Sequence, residues 1–307
     1  MIRVRVPATT SNLGPGFDAV GLALRLHNTL TLEGAETPAI EIEGEGAETL
    51  PRDPSHLAYR AALAVAEHPL AGHAGGGRGG RARPRAFHIR QVNRIPLARG
   101  LGSSAAAILG GAVAANALLG GPLDTQALLD LATEMEGHPD NVAPALLGGA
   151  VVCARTPDGV RWLRVGTPRL AAVVAVPDFA VSTQEARRLL PAQVPFADAV
   201  FNVTRTALLI AALTAGRTDL LGEATQDRLH QPYRARLVPG LAGVFAAARQ
   251  AGAHGVALSG SGPTVLAFGD APGIGEAMAA AFRAAGAGCR IMRVEIDMDG
   301  AVVEEGA

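Results

Sequence analysis

No lysine occurs anywhere in this chain of 307 residues, so all 27 basic side chains are arginine. That absence removes several kinds of chemistry. A P-loop sets a lysine against the nucleotide phosphates, a Schiff-base enzyme uses one as its nucleophile, and a protein kinase carries one on a catalytic strand. Any nucleotide handled here must meet backbone amides, hydroxyls and arginines. Cysteine is almost as scarce. Cys153 and Cys289 stand far apart and in no metal-ligand spacing, which predicts reduced, small hydrophobic side chains in a cytoplasmic protein and no disulfide framework. Net charge is missing too. The 28 acidic residues offset the arginines to leave −1, so no global pull toward nucleic acid or a membrane is expected. The first residues, IRVRV at 2–6, alternate as a strand and lack the apolar segment of a signal peptide.

Charge vanishes altogether from Leu101 to Leu123, a stretch long enough to raise a membrane span. Its Ala and Gly content, with Ser103, Ser104 and Asn116, makes the transfer energy poor. The stretch opens as PLARGLGSSAAA, where Gly100 and Gly102 mark a tight turn and two serines lead into a small, apolar run. Two readings stand at this point. One is a helix N-terminus whose free N–H groups and dipole hold a phosphate. The other is a buried helix with a serine cap.

The rest of the chain divides by hydrophobic period. Strands are expected at 2–6, 28–33, 39–43, 86–92, 148–152, 161–165, 170–176 and 290–296, and a strand–turn–strand at 255–268. Helices are expected at 55–68 with Ser55 as cap, 124–136, a short one after Ser182 or Thr183, near 197–215 and 218–229, then 241–251 and 275–285. PATTSNLGPGFDAVGLAL reads as a polar, backbone-shaping loop with nothing core-like before Val20. The Gly/Arg-rich segment 71–85 has no interleaved aromatics and reads as a solvated insertion. A soft boundary near 155 divides the chain into domains 1–155 and 156–307. Apolar helices in the second half make a homodimer an expectation.

Chemistry gathers in four loops: 12–21, 96–107, 136–144 and 259–264. In EGHPDN, the groups of Glu136, His138, Asp140 and Asn141 crowd together with no cysteine or second histidine. That argues against zinc and for Mg²⁺, substrate contacts, or both. LSGSGPT has a G-x-G, but Val265 stands where a dinucleotide fingerprint needs its third glycine, and the loop lies between strands. Four such loops in an otherwise apolar chain predict one shared cleft.

PATTSNLGPGFDAVGLAL, PLARGLGSSAAA and LSGSGPT together resemble the three motifs of the GHMP kinase superfamily, and EGHPDNVAPALLGG with STQEARRLLP resembles its homoserine kinase branch. The match spans nearly the whole chain in order and spacing. The resemblance implies an α+β fold of two domains, the first like ribosomal protein S5 domain 2 and the second ferredoxin-like, with the site between them. It also implies ATP-dependent phosphorylation of the hydroxyl of L-homoserine to O-phospho-L-homoserine, in threonine biosynthesis, with ATP and Mg²⁺.

Roles follow from that resemblance. Pro96, Leu97, Ala98, Arg99, Gly100, Leu101, Gly102, Ser103, Ser104, Ala105 and Ala106 would wrap the ATP. Ser104 and Glu136 would meet Mg²⁺, with Glu134 as a rival to Glu136. Asn12, Asp18, His138 and Asn141 would surround L-homoserine, Asp18 facing its ammonium group. Arg187 and Arg234 would hold its α-carboxylate, and Thr183 would position the hydroxyl. Gly260, Ser261 and Gly262 would close the cleft. Asn141 stands where related kinases carry an aspartate base, so direct in-line transfer without a dedicated base is expected. His56 replaces the family's asparagine near the nucleotide base, which leaves the adenine contacts open. A related kinase for another alcohol, and a catalytically silent sensor on the same scaffold, are the competing readings. An ammonium-binding Asp18 beside two arginines favours an amino acid over a sugar, and intact Ser104, Glu136 and glycines disfavour the sensor.

Overall fold

The structure, a computed structural model, describes residues 1–72, 84–166 and 170–304. The Gly/Arg-rich segment lies largely outside the described residues.

The long strand β2 (Val20–Ala35) organises a seven-stranded mixed sheet. Along one edge it pairs antiparallel with β1 (Ile2–Ser11), with a register shift at Pro7, which has no N–H for the ladder. Its other edge takes two partners in succession, β5 (Ala150–Thr156) near its start and β4 (Ala86–Asn93) near its end. Strand β3 (Ala39–Gly44) lies parallel to β4. The first strand is longer than its alternating pattern predicts. Thr9, Thr10 and Ser11 are buried strand residues, because their hydroxyls find partners in distant segments, Asn141 and Ser259.

Helices α1 (Leu57–Glu67), α2 (Ser103–Leu118), α3 (Thr125–Glu136) and α4 (Pro139–Leu147) form the layer beside this sheet. Every residue of α2 from Ala105 to Ala115 is buried. Its charge-free run therefore belongs to a core helix, and the membrane reading of this stretch falls. Small residues allow close packing: a side chain on Gly111 would collide with the Ala58 carbonyl of α1. The caps differ from expectation. Helix α2 is entered through Gly102 in the left-handed region (φ 68°), with Ser103 and Ser104 already in its first turn. Helix α1 has His56 at its N-cap without a side-chain bond, and the Ser55 N–H is held by Asp53.

A second, four-stranded antiparallel sheet runs in the order β10 (Cys289–Glu295), β7 (Ala171–Pro177), β9 (Val265–Phe268), β8 (Gly255–Leu258). Helices α9 (Leu241–Gln250) and α10 (Ile274–Ala284) pack on it, α10 through Ile274, Met278 and Phe282 at four-residue spacing. Helix α5 (Thr183–Arg188) starts after Ser182 with no side-chain cap bond, and α6 (Phe196–Ala215) follows. Among the described residues α6 is the one helix long and apolar enough to cross a membrane. It buries Asn202, Leu209, Ala212 and Leu213 within the fold.

Two expectations need correction. The segment 218–229 is not one long helix. It is a 3₁₀ turn, a short α7 (Leu221–Ala224) and a turn into α8 (Gln231–Arg234), because the Asp227 carboxylate takes the N–H groups of Leu229, His230 and Gln231 and competes with helix propagation. The boundary near 155 cuts a hairpin: β6 (Gly159–Val165) pairs with β5 in the larger sheet. The passage between sheets comes after Val165, and β11 (Val302–Glu304) returns to pair with β1. Both cysteines are free. Burial pushes the Cys153 thiol up to about 12, which leaves it unreactive, and Cys289 is partly exposed.

Candidate active site

Loop 12–18, the turn before α2, the α3–α4 junction, the start of α5, α8 and the β8–β9 turn converge on a cleft between the two sheets. Backbone geometry is unusual here. Asn12 (φ 70°), Asp18 (φ 55°) and Ala98 (φ 52°) all line the cleft in the left-handed region. Such residues persist only where surrounding contacts hold them, and they concentrate at functional sites.

At one end lies the N-terminus of α2, with no acidic residue in its first turn. Gly102 is required there twice over, by its φ and because a Cβ would strike Thr9 Oγ1. Gly100, Gly102, Ser103 and Ser104 face the cleft. Ser104 Oγ donates to Glu136 Oε1 at 2.6 Å. Burial raises the Glu136 carboxyl above its usual range, with the Ser104 bond working against it. A carboxylate and a hydroxyl side by side, hard oxygen donors in a partly desolvated position, fit Mg²⁺, which keeps few protein ligands and shares the rest with waters and phosphates. Glu134 is exposed and does not line the cleft.

Beyond Glu136, His138 Nδ1 and Asp140 Oδ1 are 2.7 Å apart. Burial alone would lower His138, but the bond and charge of Asp140, helped by Glu136, outweigh it and raise its pKa. Asn141 is committed at both ends, accepting from Thr9 Oγ1 at 2.8 Å and donating to Ser11 Oγ at 3.1 Å. Asn12 is committed likewise, to the Gly260 carbonyl and the Asp18 N–H. Thr183 Oγ1 stands 3.3 Å from Ser261 Oγ.

The other end is charged. Arg187 makes a bidentate pair with Asp18, at 2.9 and 2.6 Å. Arg234 is 2 % exposed, and no carboxylate bonds to it among the described residues. Burial, then the like charge of Arg187, pulls it down to about 10, and its Nε has no partner. A buried guanidinium with spare donors, in reach of a cleft, is arranged to receive an anion.

Several expected residues lie elsewhere. Leu101, Ala105 and Ala106 point into the core, and Gly262 sits behind the loop, its N–H bonded to Ser259 O. Pro96, Leu97 and Arg99 line a neighbouring cleft with Thr49, Val176 and Arg290, while Ala98 belongs to both clefts. His56 is buried, lines neither cleft, and has a partnerless Nδ1. Sequence reasoning did not single out Ser11 or give Asp140 a role. The crowding of EGHPDN was a signal for Asp140; nothing local marked Ser11.

The chain matches the model of the GHMP kinases N terminal domain over residues 56–149 and that of the GHMP kinases C terminal domain over residues 209–288. It is 52% identical to the homoserine kinase of Moorella thermoacetica, covering 98% of this chain and 99% of that one. It is 48% identical to the homoserine kinase of Carboxydothermus hydrogenoformans, covering 98% and 96%. The crystal structure of homoserine kinase from Cytophaga hutchinsonii superposes with a TM-score of 0.85 at 31% identity, covering 99% of this chain and 97% of that one. The crystal structure of L. major mevalonate kinase in complex with R-mevalonate shares the fold at a TM-score of 0.68 and 16% identity, covering 95% of this chain and 94% of that one.

Proposed function

The chain belongs to the GHMP kinase family, among its homoserine kinases, and on that premise we propose that it transfers the γ-phosphate of ATP to the side-chain hydroxyl of L-homoserine. The product, O-phospho-L-homoserine, then serves threonine biosynthesis. The observation that carries the reading is Arg234, a buried cation lacking an anion, at the same end of the cleft as Asp18 and Arg187. An amino acid supplies what these groups lack: a carboxylate for Arg234 and Arg187, and an ammonium for Asp18. The Asp18–Arg187 pair is more than a third exposed on both sides, so opening it to admit substrate costs only about 1 kcal/mol or less.

The ATP phosphates rest on the N–H groups at the start of α2, beside Gly100, Gly102 and Ser103, and the nucleoside extends toward the neighbouring cleft at Pro96–Arg99. Ser104 and Glu136 would hold Mg²⁺, which when bound offsets charge on the transferring phosphoryl group. Asn141 is an amide with both ends occupied, so it offers no base. His138, its Nδ1 held by Asp140 and its pKa raised above the ordinary value by that bond and charge, lines the cleft as a donor toward substrate. Transfer is therefore direct and in line: the homoserine hydroxyl, aligned by Thr183, attacks and loses its proton late, to a phosphate oxygen. Asn141→Asp is accordingly expected to give no gain in kcat. A severalfold gain at unchanged KM would mean that a base was the missing element.

The deciding experiment is a coupled ADP-release assay with L-homoserine, mevalonate, galactose and L-serine. Turnover is expected with L-homoserine by a wide margin. Preference for mevalonate or galactose would replace the substrate assignment, and inactivity with all four would sink the enzymatic reading.

A further inference from the structure

His230 does not line this cleft, yet it joins two parts of the charged end. Arg234 NH1 donates to its Nδ1 at 3.2 Å and to Gly260 O at 2.9 Å. On the far side of the ring, Nε2 lies 2.6 Å from Gly14 O, where only an N–H can be the donor. A ring that accepts at Nδ1 and donates at Nε2 is the neutral imidazole in one defined tautomer. The surroundings hold it there. The side chain is fully buried. Asp227 is 3.5 Å away, but its oxygens are occupied by the N–H groups of residues 229–231 and the Asn202 amide. Phe17 covers the imidazole at 5.2 Å between ring centres, and the same phenyl ring lies 5.2 Å from the Arg234 guanidinium and 5.6 Å from that of Arg187. Gly14, at φ 89°, lets loop 12–18 approach closely, since a Cβ would collide with the Thr225 carbonyl.

We propose that His230 is a positioning residue: as a neutral imidazole it aims the Arg234 guanidinium at the substrate carboxylate and ties it to the loop that carries Asp18, fixing the spacing of the two charges that read an amino acid. This rests on the assignment of Arg234 to that carboxylate. The ring touches no substrate and acts through Arg234 and Gly14. Its two nitrogens do separate jobs, and amide side chains can divide them. Asparagine places an acceptor near Nδ1, whereas glutamine reaches as far as Nε2 and abandons the bond from Arg234.

The test compares His230→Gln, His230→Asn and Arg234→Gln in steady-state kinetics, with thermal midpoints measured alongside. His230→Gln is expected to raise the KM for L-homoserine about tenfold, the size of one lost charged hydrogen bond, with the KM for ATP unchanged. His230→Asn should recover most of that loss. Equal homoserine KM values in wild type and His230→Gln, or homoserine and ATP KM values that rise together with a fallen midpoint, overturn the proposal. If Arg234→Gln leaves the homoserine KM unmoved, the carboxylate assignment itself is wrong and the proposal falls with it. Should the His230 variants not fold, nitrogen NMR of the wild-type protein decides. At pH 7 it must show a neutral imidazole protonated at Nε2 that responds to L-homoserine, and the lack of one overturns the proposal.

Discussion

Asp18 shows how one residue can carry both strain and charge. Its backbone is left-handed, its N–H is held by Asn12, and its carboxylate faces Arg187. Removing the charge while keeping the shape isolates the second property. Asp18→Asn is expected to raise the KM for L-homoserine by tenfold or more with little change in the KM for ATP, as a charged hydrogen bond is worth about 1.5–3 kcal/mol. Initial-rate kinetics with each substrate varied in turn will check it. Most residues of the cleft were legible in the sequence because motifs hold them close together: Gly100, Gly102, Ser103 and Ser104 in one, Glu136, His138 and Asn141 in another. What the letters did not carry was occupancy. Asn12 and Asn141 look like free amides until their bonds to Gly260, Thr9 and Ser11, more than a hundred positions away, are known.

Most of these bonds run through a single element. The last third of β1 is polar and buried, and with Asn12 just beyond it reaches two segments: Thr9 and Ser11 meet Asn141, while Thr10 and Asn12 meet Ser259 and Gly260 of the β8–β9 turn. PATTSN reads as a loop by composition, since a run of hydroxyls in water would be one. Its identity as strand depends on distant acceptors, which no local pattern encodes. Thr9 also sets the room at Gly102, where α2 begins. Thr9→Val keeps the shape and deletes the hydroxyl, leaving Asn141 Oδ1 without its donor. It is expected to cost about 1–3 kcal/mol in urea unfolding and to lower kcat more than either KM. Helix α2 taught the complementary lesson. Its apolar run forecast burial correctly, while its cap proved to be a glycine, because the turn needs a left-handed residue more than it needs a serine hydroxyl.

At the scale of the whole molecule, the sheets are not sequential domains. The chain leaves the larger sheet after Val165, builds the smaller one, and comes back through Asp297 to β11. Composition hardly changes along this path, so the return could not be read from the sequence. Asp297 is its anchor. Burial would raise its carboxyl, but the His27 hydrogen bond at 2.7 Å and the N–H groups of Gly300 and Asp299 win and lower it. A carboxylate with a depressed folded-state pKa contributes stability above its unfolded value and loses it as pH falls through the folded one. Asp297→Asn is therefore expected to lose about 1–2 kcal/mol at pH 7, with the gap to wild type closing below about pH 4, in urea titrations at both values. The returning strand also has a kinetic consequence. Its register joins Arg3 to Glu304, a contact of very high sequence separation whose closure entropy is met late in folding. Val302→Ala should therefore hasten unfolding and leave the refolding rate within about twofold of wild type in stopped-flow chevrons, the mark of a strand absent from the folding transition state.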